Sequence, residues 1–296
     1  MQFLQLLING TSIGCIYALV ALGFVLIYKA TEVVNFAQGE FLMLGGFMAY
    51  TFIGILGMPY WLGVLLSIVF MMGFGALVDA ISLRPVLGQS QFTIIMLTIG
   101  LGYVFRSGVA MIPGWGTEAY AFSTPFSATG LPLLTIGDKA LIISEQHLSI
   151  IVSTVVLVVL LTLFFRFTRQ GIAMQATSQN QLAANYMGIP VKWVFSRIWG
   201  ISAGVAAAAG ILLAPITLVE ASMGFIGLKA FPAAVLGGFG SIPGAIVGGL
   251  IIGNVEAIAG FYLPPGFKDV AAYVILLLVL MIRPQGLFGA TIRKKV

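Results

Sequence analysis

VNFAQGEFLMLGG, residues 34–46, sets Asn35, Gln38 and Glu40 between two long apolar runs. The chain around it is 60% hydrophobic and 8% charged over 296 residues, with 37 glycines and a mean hydropathy of +1.10. A soluble domain carries about a quarter charged residues, so this composition excludes one. Several runs approach or exceed the roughly 20 residues that a helix needs to cross about 30 Å of hydrocarbon. The three polar side chains therefore sit at membrane depth, where polar groups must be satisfied inside the protein or face a watery cavity.

Working outward, the apolar runs place spans at about 3–28, 40–57, 61–82, 92–112, 147–165, 193–218, 241–261 and 268–283. The pattern predicts an all-α, polytopic membrane protein with a single domain over residues 1–296. About eight to nine transmembrane helices are expected, with interrupted or re-entrant segments near 30–40 and 222–240. The segment 222–240 is broken by Pro232, Gly237, Gly238 and Gly240. The N-terminal run lacks a basic leader region and a small-residue cleavage site, so it reads as a retained first span.

The net charge of +5 does not point to nucleic acid, because the basic residues cluster at the ends of apolar runs. Arg84, the group Arg166, Arg169, Lys192 and Arg197, and Arg283 with the tail Arg293, Lys294 and Lys295 mark the cytoplasmic side. Segment 113–146, with Lys139 alone, then forms an extracytoplasmic loop. Parity between the basic loop and the basic tail requires that 222–240 cross or that a neighbour be re-entrant. If it crosses, the chain makes nine passes and its N-terminus lies outside.

Glycines recur at helical spacing. Gly240, Gly244 and Gly248 form one stripe, and Gly249 and Gly253 lie on another face of the same helix, the pattern of close backbone packing. The single Cys15 excludes a disulfide within the chain and reads as a small packed hydrophobe. His147, the only histidine, has no second ligand at helical spacing, so no metal site is expected. Glu40, Asp79, Arg106, Glu220, Lys229, Glu256 and Asp269 lie in or near spans, with Asp79 and Asp269 at the interfacial ends. Intramembrane ionisable groups face the bundle interior or a cavity. Asn35, Gln38, Glu40, Lys229 and Glu256 are accordingly the candidates for a translocation pathway or gate. No nucleophile and base stand at a catalytic spacing.

The longest cytoplasmic connection, RFTRQGIAMQATSQNQLAANYMGIPVKWVFSR at 166–197, carries helix punctuation. Ser178 with Gln181 reads as a capping box, Leu182 and Tyr186 stand at i, i+4, as do Ala183 and Met187, and Gly188 and Pro190 follow. This predicts a short amphipathic helix at about 179–187 whose apolar face needs a cover. It has no Lys or Arg of its own, which favours a protein partner over the lipid headgroups.

The order of GTSIGCIYALVALGFVLIY, VVNFAQGEFLMLGG, LRPVLGQS, RFTRQG, LAANYMGIPVKWV, MGFIGLKAFPAAVLGGFGSIPGAIVGGLIIGNVEAI and FKDVAAYVILLLVLMIRPQGLFG resembles the LivH-type permease subunits of branched-chain (hydrophobic) amino-acid ABC importers. The resemblance runs over nearly the whole chain. It implies a second permease subunit in a heterodimer, two cytoplasmic ATPase subunits, a periplasmic solute-binding protein and a bacterial inner membrane. It also implies that residues 171–189 form the coupling-helix loop. ATP and Mg would be used by the partner ATPases, since the chain contains no phosphate-binding G-x-x-x-x-G-K-[ST] motif and needs no cofactor of its own. The chain departs from the family at Gln38, where a His is common, and at Gln179, Asn180 and Gln181, where charged side chains are common. Two other classes share the broken segments: an ion-coupled secondary transporter and a solute channel with paired half-helices.

Overall fold

The computed structural model describes residues 2–289 except 87, 117, 137, 138 and 265, so the basic tail at 293–295 lies outside the described residues. The first helix, α1 (Gln2–Thr31), is apolar all round and is enclosed all round: every residue from Gly14 to Ile27 is buried. Its 30 residues span about 45 Å at about 1.5 Å per residue, more than a bilayer core. Around it stand α2 (Gln38–Ala49), α3 (Tyr60–Val78), α4 (Gln91–Met111), α5 (Glu145–Phe167), α8 (Val191–Thr217), α9 (Ile226–Gly237), α10 (Ile242–Tyr262) and α11 (Phe267–Ile282). The short helices α6 (Arg169–Gln179) and α7 (Gln181–Tyr186) link α5 to α8.

Two sets of contacts fix the ends of the bundle. At one end the Gln181 amide donates to the Ala30 carbonyl, Arg84 donates to the Lys192 carbonyl, and Leu287 N–H donates to the Leu236 carbonyl. At the other end Gln5 exchanges two hydrogen bonds with the backbone of Ile142, Tyr120 and Val219 exchange another two, and Trp115 donates to Thr51. Among the described residues the chain runs nine times between these ends. The segment 222–240 crosses as a 3₁₀ turn (Ala221–Phe225) followed by α9, which settles the parity. Lys29, Arg84, Arg166, Arg169, Lys192, Arg197 and Arg283 belong to the first end, against Lys139 and Lys268 at the second.

Both interrupted segments keep their backbone satisfied. Between α1 and α2, Val33 N–H donates to the Thr31 hydroxyl, Phe36 N–H to the Thr98 hydroxyl and Ala37 N–H to the Asn35 side chain. In α9, Pro232 removes the hydrogen bond that the Leu228 carbonyl would accept one turn back, and the Tyr273 hydroxyl on α11 donates to that carbonyl at 3.1 Å.

Four readings change. Segment 113–146 is not all loop, for it carries an antiparallel hairpin of β1 (Gly130–Ile136) and β2 (Lys139–Ser144). The second span starts at Gln38 and continues past α2 through a π-helical turn, Tyr50–Ile55. Asp79 stays at the end of α3 but is buried in protein rather than facing the interface: it is only 1% exposed, accepts from Ser196 at 2.5 Å and pairs with Arg84 at 3.5 Å. Gly240 lies ahead of α10, and nothing within 4 Å would meet a side chain there, so it belongs to no packing stripe.

The other glycines set α10 between two neighbours. A Cβ on Gly244 or Gly248 would overlap the α9 backbone at Gly237 or Ala233. One on Gly249 or Gly253 would overlap α1 at Ala18 or Gly14. Burial does not follow hydropathy. The most apolar long helix, α5, holds an 18-residue stretch of mean hydropathy 2.9 with only 17% of it buried, whereas the corresponding stretch of α1 has 2.1 and 89%. Lipid tails cover a leucine as well as protein does, so small residues rather than greasy ones mark the helices that pack closely.

Gly253→Ala is expected to destabilise the purified protein by about 1–3 kcal/mol through overpacking against Gly14. Gly100→Ala in α4, where a Cβ meets nothing within 4 Å, should leave stability unchanged or raise it by up to about 1 kcal/mol. Denaturant unfolding in lipid nanodiscs reads both.

Candidate functional site

The centre of the bundle is where the two interrupted segments meet. Gly39, in the first turn of α2, lies against Gly224 in the 3₁₀ turn and Gly227 at the start of α9, so closely that a Cβ on any of the three would overlap a neighbour. The two half-helices thus bring their N-terminal ends together and run apart toward opposite ends of the bundle. Each such end carries the positive side of its helix dipole. Glu40 supplies the negative charge between them, 7% exposed and with Oε2 against Gly224.

Arg106, on α4, answers that carboxylate: its guanidinium donates to Glu40 Oε1 at 2.5 Å. The same guanidinium lies 3.9 Å above the Phe225 ring. One polar atom of each partner, Glu40 Oε2 and Arg106 Nε, is buried without a hydrogen bond. A groove of about 330 Å³ opens beside the pair, walled by Phe36, Ile99, Gly102, Tyr103, Phe225 and Leu228.

Asn35 and Gln38 lie one step behind, both wholly buried. The Ser202 hydroxyl on α8 stands 3.0 Å from Gln38 Oε1 and 3.0 Å from the Gly23 carbonyl. The Asn35 amide reaches Gln38 Oε1 at 3.4 Å, and the Gln38 amide reaches the Ser202 carbonyl at the same distance. Gly23 has no side chain because Gln38 occupies the space that a Cβ would take. Gln38 therefore faces α1 and α8 rather than a cavity. Its contacts are with Gly23, Asn35 and Ser202, and it is not among the residues that wall the groove.

Lys229 and Glu256 form a separate cluster. Lys229 Nζ lies 3.1 Å from Glu256 Oε1 and 2.6 Å from Asp269 Oδ1, Lys268 Nζ is 3.8 Å from Glu256 Oε1, and the Tyr17 hydroxyl donates to Glu256 Oε2. Both oxygens of this buried carboxylate are engaged, and the cluster joins α1, α9, α10 and α11. It resembles a structural tie more than a binding surface. Of the five pathway candidates, the structure brings Asn35, Gln38 and Glu40 together and places Lys229 and Glu256 elsewhere.

The connection between α5 and α8 departs from the capping-box reading. Helix α6 runs on through Gln179, and the Ser178 hydroxyl donates one turn back to the Gln175 carbonyl at 2.8 Å. The cap of α7 is Asn180, whose side chain accepts from Ala183 N–H at 2.9 Å, while Gln181 is spent on Ala30. Gly188 closes the turn with a positive φ of 80°. Leu182, Tyr186 and Met187 are 71%, 87% and 83% exposed, and Ala184 alone on this helix is buried.

Arg106, Ser202, Thr98 and Tyr17 carry much of this geometry and were not assigned partners from sequence. An arginine inside the apolar run 92–112 does imply an acid across the bundle. Which of several acids it meets is not encoded locally. Among the described residues no cluster of His, Cys, Asp and Glu could hold a metal ion.

An all-α, multi-pass membrane protein with ionisable groups drawn to its interior and broken helices at its centre suits the passage of a polar solute, a geometry shared by several transport classes. Residues 6–280 match the family model described as branched-chain amino acid transport system / permease component. The chain is 33% identical to the high-affinity branched-chain amino acid transport system permease protein LivH of Salmonella typhimurium, covering 98% of this chain and 96% of that one. It is 32% identical to BraD, the corresponding permease protein of Pseudomonas aeruginosa, over 97% and 96% of the two chains. A probable branched-chain amino acid transport permease of Methanocaldococcus jannaschii is 28% identical over 93% and 89%. The chain belongs to the branched-chain amino acid transport permease family, and is by that membership a transport component.

Glu256→Ala removes the acceptor of the Tyr17 hydroxyl and one of the two carboxylates on Lys229, which keeps Asp269, and should cost about 3–6 kcal/mol as two hydrogen bonds to a charged group are lost. Tyr17→Phe, which removes one hydrogen bond to the charged carboxylate, should cost about 1.5–3 kcal/mol. Unfolding of the two purified variants checks the order.

Proposed function

We propose that the chain is one transmembrane half of an ATP-driven importer for branched-chain or other hydrophobic amino acids in the bacterial inner membrane. Its partners are a second, non-identical permease chain, two cytoplasmic ATPase subunits that use ATP and Mg, and a periplasmic solute-binding protein. Whole-length similarity to named branched-chain amino acid permeases supports the substrate class. The observation that carries the coupling is the apolar face of Leu182, Tyr186 and Met187, held out from the basic end of the bundle. Short helices with such a face insert into grooves of a partner. The ATPase groove that receives α7 would suit a helix without charge.

The loop is anchored so that a push on it is transmitted. Gln181 ties α7 to the end of α1, and the Asp79–Ser196–Arg84 cluster ties the start of α8 to the end of α3. Helix α8 then carries Ser202 to Gln38. A shift of α8 driven by ATPase closure would act on the Asn35–Gln38 break and, through Gly39 and Glu40, on the meeting of the two half-helices. In this reading Asn35, Gln38 and Glu40 form the gate, and Lys229 and Glu256 hold α9 against α10 while it moves.

The paired half-helices are also the geometry that a secondary transporter or channel would use. Transport in proteoliposomes separates the classes. Amino-acid uptake should require ATP, the ATPase subunits and the binding protein, and uptake by the permease chains alone on an ion gradient would overturn the proposal. Tyr186→Asp should lower ATPase association and coupled uptake at least about tenfold while leaving the fold intact, and unchanged association would remove α7 from the docking role. Asn35→Ala and Glu40→Ala should each lower uptake with assembly preserved, and wild-type uptake in both would remove them from the gate.

A further inference from the structure

The Glu40–Arg106 pair lies at the level of the half-helix break, with the Glu40 side chain 10% and the Arg106 side chain 24% exposed, beside a groove whose walls Tyr103, Phe225 and Leu228 reach the surface of this chain. It is held by a single contact, Oε1 to a terminal guanidinium nitrogen, although a guanidinium and a carboxylate can form two parallel hydrogen bonds. What remains is one carboxylate oxygen and one guanidinium N–H, both buried and both without a hydrogen-bond partner. Each is costly in that state, so the pair is not explained as a structural tie of the kind formed by Lys229, Glu256 and Tyr17. The two positive half-helix ends lie against the same carboxylate. The groove beside the pair is about 330 Å³, at the small end of the range for ligand sites, and its other walls are apolar or aromatic: Phe36, Ile99, Tyr103, Phe225 and Leu228.

We propose that the Glu40–Arg106 groove is a transit binding site for a zwitterionic α-amino acid with an apolar side chain, taken up when the ion pair opens around it. The ammonium goes to the Glu40 carboxylate, the carboxylate to the Arg106 guanidinium, and the side chain to the aromatic wall. This rests on the importer reading above and specifies the chemistry of its pathway.

Charge bookkeeping selects the ligand class. Inserting a zwitterion between an acid and a base gives each of the four charges an opposite neighbour and leaves the site neutral. A simple amine would pair with Glu40 and strand Arg106. A simple carboxylate would do the reverse, and leaving one buried charge unpaired is strongly unfavourable. Phe225, stacked 3.9 Å from the guanidinium, keeps Arg106 aimed along the groove when the pair opens. Arg106 is thus a binding residue for the transported solute, and Glu40 its counterpart rather than a helix cap alone.

The test uses the whole importer in lipid nanodiscs without binding protein or nucleotide. Saturable binding of tritiated L-leucine is measured, with L-leucinamide, which lacks the carboxylate, and 4-methylpentanoate, which lacks the ammonium, as competitors. Wild-type protein should prefer L-leucine to each analogue by about tenfold or more, the effect of losing a hydrogen bond to a charged group. Arg106→Gln should erase the preference over L-leucinamide alone, and Glu40→Gln the preference over 4-methylpentanoate alone. Arg106→Lys, which keeps the charge without the fork, should retain part of the first preference. Absence of saturable binding, equal competition by the three compounds on wild-type protein, or equal loss for all three in both variants would each overturn the proposal. The wild-type comparison needs no variant to fold. ATP-driven uptake of L-leucine by the same complex reconstituted in proteoliposomes with binding protein separates the two readings: uptake without discrimination in the groove sinks only this inference, and no uptake sinks the importer reading.

Discussion

The architecture turns on the contact between Gly39 and the pair Gly224 and Gly227. Two half-helices can bring their N-termini this close only if neither presents a side chain at the crossing, and only if something offsets the repulsion of two positive dipole ends. Glycine meets the first condition on both sides, and the Glu40 carboxylate meets the second. Arg106 must then answer Glu40, which ties α4 to the same point. Everything else at the centre is arranged around that constraint. Gln38 fills the gap left by Gly23, Ser202 holds Gln38, and Thr98 serves the unwound backbone at Phe36.

This centre is rigid in packing yet built from breaks. The N–H groups of Val33, Phe36 and Ala37 in the break before α2 find side-chain partners, so the break is a defined structure rather than a loose one. In α9 the Tyr273 hydroxyl reaches the Leu228 carbonyl that Pro232 leaves free. A helix with its backbone satisfied from outside can shift between two arrangements without exposing backbone to lipid, provided that the partner travels with it. The line from α7 through α8 to Ser202 and Gln38 is a continuous set of such contacts from the basic end to the half-helices.

The asymmetry between helices has the same origin. Helix α5 is the most apolar of the long helices and the least enclosed, while α1 and α8, richer in small residues, are the most enclosed. In a membrane, hydrophobicity reports contact with lipid, and close approach is reported by Gly, Ala and Ser. Large apolar side chains exposed on α3, α4, α5 and α11 are therefore surfaces for lipid or for another membrane chain.

The sequence alone determined the class of protein, the positions of the spans to within a few residues and the family resemblance. These follow from apolar run length, charge at run ends and local punctuation, all of which are read along the chain. The broken segments near 30–40 and 222–240 were legible for the same reason, since Asn35, Gln38, Pro232 and the flanking glycines interrupt a helix wherever they occur. The capping box at Ser178 was misread because two helices abut there, and Ser178 belongs to the last turn of the first one. Only the tertiary structure decided which polar group meets which. It paired Glu40 with Arg106 across 66 residues and Lys229 with Glu256 across 27, and it turned Gln38 away from the groove toward Ser202, 164 residues distant. Burial forces each such group to find a partner, but the choice among partners depends on how helices distant in sequence rotate and pack, and no local pattern carries that information.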